Sequence, residues 1–392
     1  MSLSTVLRQG FYLFEVDLRF DDLARRAADS FVTVDSGADT VRANLATATS
    51  LGLPALTVPT DLGGLGANLY EFASYQQVLA RADGSTALVL AMHHMLVGGE
   101  TEGGAWPAGP WRELCAAAVG GGALVNSAAT EPGAGTPSQA GLPSTTAAPL
   151  GAHPAQLAGS RWRLNGRKAY TTGAPFLTFM RVSARVEPPG AEPFGARFLV
   201  RLPAAGVRVE DAWRPAALRE AANDDVVLEA VEAEFLYREE RRGCEGTVWF
   251  QVAIAATYLG IGYAAYQAVV DFSRSRVTAA GPVTDRESVR LRLGRARAAL
   301  DVGRRNLLAT CREWVETPRD GREGLLLDVG LAKVTAVNAA AFAAEEAVRL
   351  AGAGGFGDGH PFARLLLESR AGLSHPPIDD AAHLRLAERD LG

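Results

Sequence analysis

The chain has 392 residues, of which 48% are hydrophobic and 21% charged, with a formal net charge of -5 at pH 7. This describes a globular protein with a sizeable core and room for two or three domains, and it excludes disorder by composition. The acidic balance offers no general attraction to nucleic acid or to an anionic membrane, and Cys115, Cys244 and Cys311 lie too far apart for a disulfide framework or a metal cluster.

From Asp21 to about Gly120 apolar residues recur at the helical period, broken at Gly52-Leu53-Pro54 and between Asp61 and Gly66. Leu69 to Ala82 and Ser85 to Val97 read as two helices, with Asp83-Gly84-Ser85 as their turn and N-cap. Between Leu124 and Arg241 the pattern becomes β-rich, with Phe198-Leu199-Val200 and Val226-Val227-Leu228 as strands; Gly141 to Ser160 reads as a strand and a long loop. Three long helices follow, Val248 to Arg276, Asp285 to Val315 and Leu325 to Leu350, then a glycine-rich break and two shorter helices, which suggests an antiparallel bundle. Alanines between Ala336 and Ala347 suit close helix packing, as in an oligomer interface. The expected fold class is α+β multidomain: a helical domain over 1–123, a β-barrel-like domain over 124–241 and a four-helix bundle over 242–392.

Two stretches of the β-rich region carry the chemistry. In Ser127 to Thr136 the glycines let backbone N–H groups approach a polar ring or phosphate, and Thr130 and Thr136 add hydroxyls. In Leu164 to Gly173, Asn165-Gly166 reads as a tight hairpin turn, so that Tyr170 and Thr172 would share a face and meet one ligand. An aromatic ring beside a hydroxyl suits a flat redox ring; the same spacing also fits an ordinary hairpin.

Gly352 to Gly359 is glycine-rich but follows a helix, so it does not read as a Rossmann loop; it is a helix C-cap and turn, or a contact with part of a cofactor. Arg274 to Thr278 closes a helix as a solvated face or a pyrophosphate contact, and His93-His94 reads as a pair of core histidines. No Gly-x-Ser-x-Gly, Walker or His-Glu-x-x-His pattern is present. No run reaches about 18 apolar residues and Met1 to Thr5 lacks a signal pattern, so a cytoplasmic location is expected.

Taken in order, Leu53 to Gly66, Thr130 to Thr136, Leu164 to Lys168, Leu259-Gly260-Ile261-Gly262 with Arg276, and Gly352 to Gly357 with Pro361 and Arg364 resemble the acyl-CoA dehydrogenase family over essentially the whole chain; Lys333 fits the helix between. The resemblance implies FAD at the domain junction and a homotetramer or homodimer whose neighbour completes the cofactor site. It places Ala129 and Thr130 at the pyrimidine end of the flavin, Tyr170 and Thr172 around the reactive ring with Thr172 near N5, and Gly135 and Thr136 at the border of substrate and pyrophosphate. Arg276, Thr278 and Arg349 would hold the pyrophosphate from the adjacent subunit, with Gly352 in the last glycine turn.

The chain departs from the family where the base should be. Most members oxidise an acyl thioester with a glutamate, and Pro376 stands at that place; a minority put it on the first bundle helix, where Trp249, Phe250 and Gln251 stand. Glu245, Asp379 and Asp380 lie nearby, the two aspartates as first-turn helix charges. His375 suggests the flavin-dependent monooxygenases of the same fold, which keep a histidine near the flavin; Pro376-Pro377 would hold it extended, and a plain surface turn is the alternative. Three functions follow: oxidation of an acyl-CoA or similar substrate by hydride transfer to flavin N5, with His375 or an aspartate as base and a separate electron acceptor; monooxygenation with reduced flavin from a partner reductase; and flavin binding without catalysis.

Overall fold

In a computed structural model, the chain is described for residues 19–32, 39–133, 141–152, 154, 156–211, 215–239, 243–357 and 359–392. Five helices come first: α1 (Asp21–Ser30), α2 (Thr40–Ser50), α3 (Leu69–Ala82), α4 (Gly84–Gly103) and α5 (Ala108–Gly121). Their starts follow local chemistry. Asn68 and Glu71 form a capping box at α3, each side chain accepting the other's backbone N–H at 3.0 Å, and Asp83 Oδ1 accepts the Thr86 N–H at 2.7 Å to start α4.

Strands β1 (Val125–Ala128), β2 (Thr146–Pro149), β3 (Arg161–Thr172), β4 (Phe179–Val186), β5 (Phe194–Arg201), β6 (Val207–Glu210) and β7 (Asn223–Arg238) form the middle of the chain. Pairing runs β4-β2-β3-β7-β5 and returns from β5 to β4, so these strands close into a barrel; β1 lies parallel to β4 and β6 extends β7. Closure leaves these strands without a free edge. Its interior is filled by Trp162, Phe198 and Phe235, with ring centroids 5.4–6.1 Å apart.

The C-terminal part holds α6 (Glu245–Ser275), the short hairpin β8 (Val277–Thr278) and β9 (Gly281–Pro282), α7 (Glu287–Glu316), α8 (Leu326–Ala351), α9 (Phe362–Ala371) and α10 (Asp379–Leu391). Helix α6 is the hub, and small residues explain how it serves both sides. A Cβ on Gly260 would lie 2.5 Å from Gln77 O of α3, and one on Gly262 would lie 2.6 Å from Ala340 Cα of α8. The close packing expected of the α8 alanines is thus made inside the chain. Two stretches, Glu245–Ser275 and Arg319–Ala351, are long and apolar enough to cross a membrane, but 89% and 61% of their apolar windows are buried within the protein, as in core helices.

The Asn165-Gly166 expectation is overturned. These residues make no hairpin turn; they sit inside the continuous strand β3, where its register with β7 shifts between Leu164 and Gly166. Asn165 Oδ1 instead accepts the N–H of Ala230, itself at φ 54°, across the bulge at 2.8 Å. Glycine is needed at 166 because the residue leading into β2 passes so close: at φ 156°, an added Cβ would lie 2.5 Å from Thr145 Oγ1 and 2.8 Å from its Cα. Gly166→Ala is expected to destabilise the protein by about 1–3 kcal/mol, read from urea unfolding; a loss under about 0.5 kcal/mol, the range of an ordinary surface change, would show that β2 yields freely.

Candidate functional site

The two motif stretches meet at one end of the barrel. The Ala169 N–H donates to Thr130 O at 2.9 Å, and Asn126 Nδ2 donates to Thr172 O at 2.9 Å, so β1 and the end of β3 lie against each other. Beneath this contact lies an ion pair that the sequence reading missed. Lys168 Nζ donates to Glu131 Oε1 at 2.6 Å and to Ser183 Oγ at 3.0 Å, with both charged side chains buried. Ser144 and Thr145 each give Glu131 a backbone N–H and a hydroxyl, at 2.5–2.9 Å. Burial works to raise the Glu131 pKa, but Lys168, Ser144 and Thr145 outweigh it and hold the carboxyl well below the usual range. Strand alternation carried the signal: Trp162, Leu164 and Lys168 share the buried parity of β3, so a lysine there faced inward.

A second irregularity presents Tyr170. The β3–β7 register shifts again between Lys168 and Thr171, and Tyr170 takes φ 56°, which L residues seldom adopt. Its side chain is 53% exposed whereas Thr172 is buried, so the simple alternation expected to put both on one face does not hold. Thr172 Oγ1 donates to Asn223 Oδ1 at 2.6 Å, and Gly173 N–H meets the Ala221 and Ala222 carbonyls. An exposed aromatic in a strained backbone, with Thr130 bonded to the residue before it and Thr172 two residues on, offers a ring face and hydroxyls that fit a flavin ring edge, the Thr172 oxygen as an acceptor because its proton goes to Asn223. Ala129 is half-buried there, its carbonyl accepting from Ser183 Oγ at 3.3 Å; Gly135 and Thr136 lie outside the described residues.

Arg276, Thr278, Arg349 and Gly352 gather at the far end of the bundle. Arg276 Nη1 donates to Ala351 O at 3.4 Å, next to Gly352, which ends α8 at φ 65°. Thr278 Oγ1 donates to Gly281 O at 3.1 Å and accepts from Arg286 at 2.7 Å, while Arg349 pairs with Glu345 and Glu346. Among the described residues no hydrogen bond or ion pair joins this group to the barrel group. The glycine-rich stretch is a C-cap and a 3₁₀ turn over Ala353–Phe356.

His375 lies elsewhere on the bundle, in extended geometry at φ -79° and ψ 141°. Its Nε2 is 3.1 Å from Tyr258 Oη, and its ring lies 5.6 Å from that of Tyr258 and 6.1 Å from that of Phe250. Phe250 and Pro376, the two positions at which the resemblance would put a glutamate, therefore both lie next to His375, and neither carries a carboxylate. The nearby acids are engaged: Glu245 accepts from Arg319 at 3.0 Å, and Asp379, in the first turn of α10, accepts from Asn338 at 2.7 Å. Burial, with the charge of Lys333 in support, draws His375 down to about 4, so its ring is neutral at pH 7.

His93 and His94 are core residues. His93 Nε2 meets Pro54 O at 2.8 Å and its Nδ1 accepts the Val125 N–H at 3.2 Å, so both ring nitrogens are used. All three cysteines are free, and among the described residues no cluster could hold a metal ion.

Three segments match the acyl-CoA dehydrogenase N-terminal domain over residues 20–102, its middle domain over 126–231 and its C-terminal domain over 247–373. The chain belongs to the acyl-CoA dehydrogenase family, and its fold is that of a flavin-binding oxidoreductase. It is 32% identical over 342 residues to the putative acyl-CoA dehydrogenase YdbM of Bacillus subtilis, covering 86% of each chain. It is 28% identical to L-evernosamine nitrososynthase of a Micromonospora species over 82% of this chain and 76% of that protein. The structure of dibenzothiophene monooxygenase from Paenibacillus sp. A11-2 with FMN and indole superposes with a TM-score of 0.79 at 20% identity, covering 92% of this chain and 94% of that one.

Proposed function

We propose that the protein is a cytoplasmic, flavin-dependent monooxygenase acting on a small molecule, with flavin reduced by a partner reductase. The observation that carries this reading is His375: a neutral, fixed imidazole lies between Phe250 and Pro376, the two positions at which the resemblance would put the carboxylate of a thioester-oxidising member. Thioester oxidation requires removal of an α-proton, and a ring whose proton affinity has fallen to about 4 is a poor acceptor for it. A neutral imidazole in a packed setting can donate one hydrogen bond and shield a reacting centre from stray protons, which oxygen chemistry requires.

The proposed cofactor is FAD. Ala129, Thr130, Tyr170 and Thr172 would hold the ring, and Arg276, Thr278, Arg349 and Gly352 of an adjacent copy would hold the pyrophosphate, which FMN lacks. A homodimer or homotetramer follows. When bound, reduced flavin supplies the two electrons with which one atom of oxygen enters the substrate and the other leaves as water. Ser127, Thr130 and Thr172 would orient the ring edge, Tyr170 would cover it, and His375 would present an N–H.

A second reading, hydride transfer from an acyl-CoA-like substrate to flavin N5, is supported by the likeness to YdbM; His375 would then be the base. Anaerobic mixing with an acyl-CoA panel is expected to leave the flavin absorbance unchanged, whereas chemically reduced protein mixed with oxygen is expected to show a transient spectrum distinct from oxidised and reduced flavin. Bleaching by an acyl-CoA, with no such transient, would overturn the monooxygenase reading. Mass analysis of the cofactor released by heat separates FAD from FMN.

A further inference from the structure

We infer that Lys333 and Tyr258 are positioning residues that fix both the turn carrying His375 and the tautomer of its ring, so that Nδ1–H is the group presented to the site. The inference deepens the proposed function and rests on it for the use made of that N–H.

Three carbonyls of the turn converge on one ammonium. Lys333 Nζ, buried on α8, donates to His375 O at 2.7 Å, Pro377 O at 3.1 Å and Gly372 O at 3.2 Å, using its three hydrogens. The turn is also pressed against its support: a Cβ on Gly372 would lie 2.7 Å from Tyr258 Cγ and 2.8 Å from Val337 Cγ1. Backbone position is therefore set from two sides. A single bond from Lys333 would only dock the loop, but three around residue 375 fix the direction in which its Cβ leaves.

Tyr258 then decides the ring. Its hydroxyl is buried on α6, and burial raises its pKa, so it keeps its proton. Among the described residues, His375 Nε2 is the acceptor available to that proton. A buried O–H left without an acceptor is costly, so Tyr258 donates, Nε2 accepts, and the ring's own proton sits on Nδ1. Nδ1 makes no hydrogen bond to any described residue, and it is the nitrogen left for a ligand. The charged or titratable groups around the ring are Tyr258 from α6, Lys333 from α8, and, one step further out, Asp379 beside Lys333 and Glu368 beside Tyr258.

The test is ¹⁵N NMR of histidine-labelled protein, with the His375 signals assigned by their loss in His375→Gln. The wild type is expected to show Nδ1 protonated and Nε2 unprotonated, and Tyr258→Phe to lose that preference. Lys333→Met is expected to raise the His375 titration midpoint, because a positive neighbour has been removed, and to lower kcat by about 10- to 100-fold with KM little changed, as for loss of an aligned group; Lys333→Arg should restore part of the rate. If Lys333→Met does not fold, Tyr258→Phe alone decides. A protonated Nε2 in the wild type, or an unchanged tautomer in Tyr258→Phe, would overturn the inference. These NMR readings do not depend on turnover, so failure of the monooxygenase reading is separately visible as the absence of the oxygen-dependent transient.

Discussion

His375→Ala is expected to lower turnover by about 10²- to 10⁴-fold, the usual contribution of a positioned proton-handling group, while the protein keeps its flavin. The substitution removes the ring between Phe250 and Tyr258 but none of the side chains at the barrel end, which lie on β1, β3 and their neighbours. The three Lys333 bonds go to backbone carbonyls, so the turn itself survives the loss of the imidazole. His375→Asn preserves a donor of similar size and should recover part of the rate. Steady-state oxygen uptake with reduced flavin, paired with the cofactor content of the purified variant, measures both quantities. Full activity in His375→Ala would remove this residue from the mechanism and return the search to the barrel end.

Lys168→Met is expected to be the most destabilising single change among those considered, costing about 3–5 kcal/mol, because it leaves the buried Glu131 carboxylate without its cation. Ser144 and Thr145 would still donate to Glu131, but neutral donors do not offset an uncompensated charge. The damage reaches function because this pair joins the loop after β1 to β3, and the Thr130–Ala169 bond lies beside it. Flavin content should fall along with stability in urea. The double variant Lys168→Met with Glu131→Gln should recover much of the loss, since it removes the stranded charge. The pair also predicts an acid limb. Glu131 has a depressed folded pKa, so its contribution is fully present above the unfolded carboxyl pKa, about 4.3, and is lost as pH falls toward the folded value. Stability measured from pH 6 down should decline in the wild type and more gently in the double variant.

Much of the fold could be read locally. The helices at Leu69–Ala82 and Leu326–Ala351 follow from apolar period and end signals, and the Asp83 cap from a short polar side chain before an apolar run. Asn165-Gly166 misled because the dipeptide reports only that a glycine-type backbone is needed. A hairpin turn and a bulge make the same local demand, and the neighbour that decides between them, Thr145, lies just before another strand, β2. Tyr170 and Thr172 were found as motif members, but their unequal exposure comes from a register shift against β7 that no spacing within β3 encodes.

The sequence by itself determined the class of element at most positions, the two motif segments that meet at the barrel end, and the absence of a carboxylate side chain at positions 250 and 376. These depend on residue type and on spacing along one segment, which are local properties. The tertiary structure alone decided that Glu131 and Lys168 neutralise each other, that Phe250 and Pro376 frame one histidine, and that Lys333 gathers three carbonyls beneath it. These features join groups from 37 to 125 residues apart along the chain, and only the packing of α6 against α8 and the closure of the barrel bring them into contact.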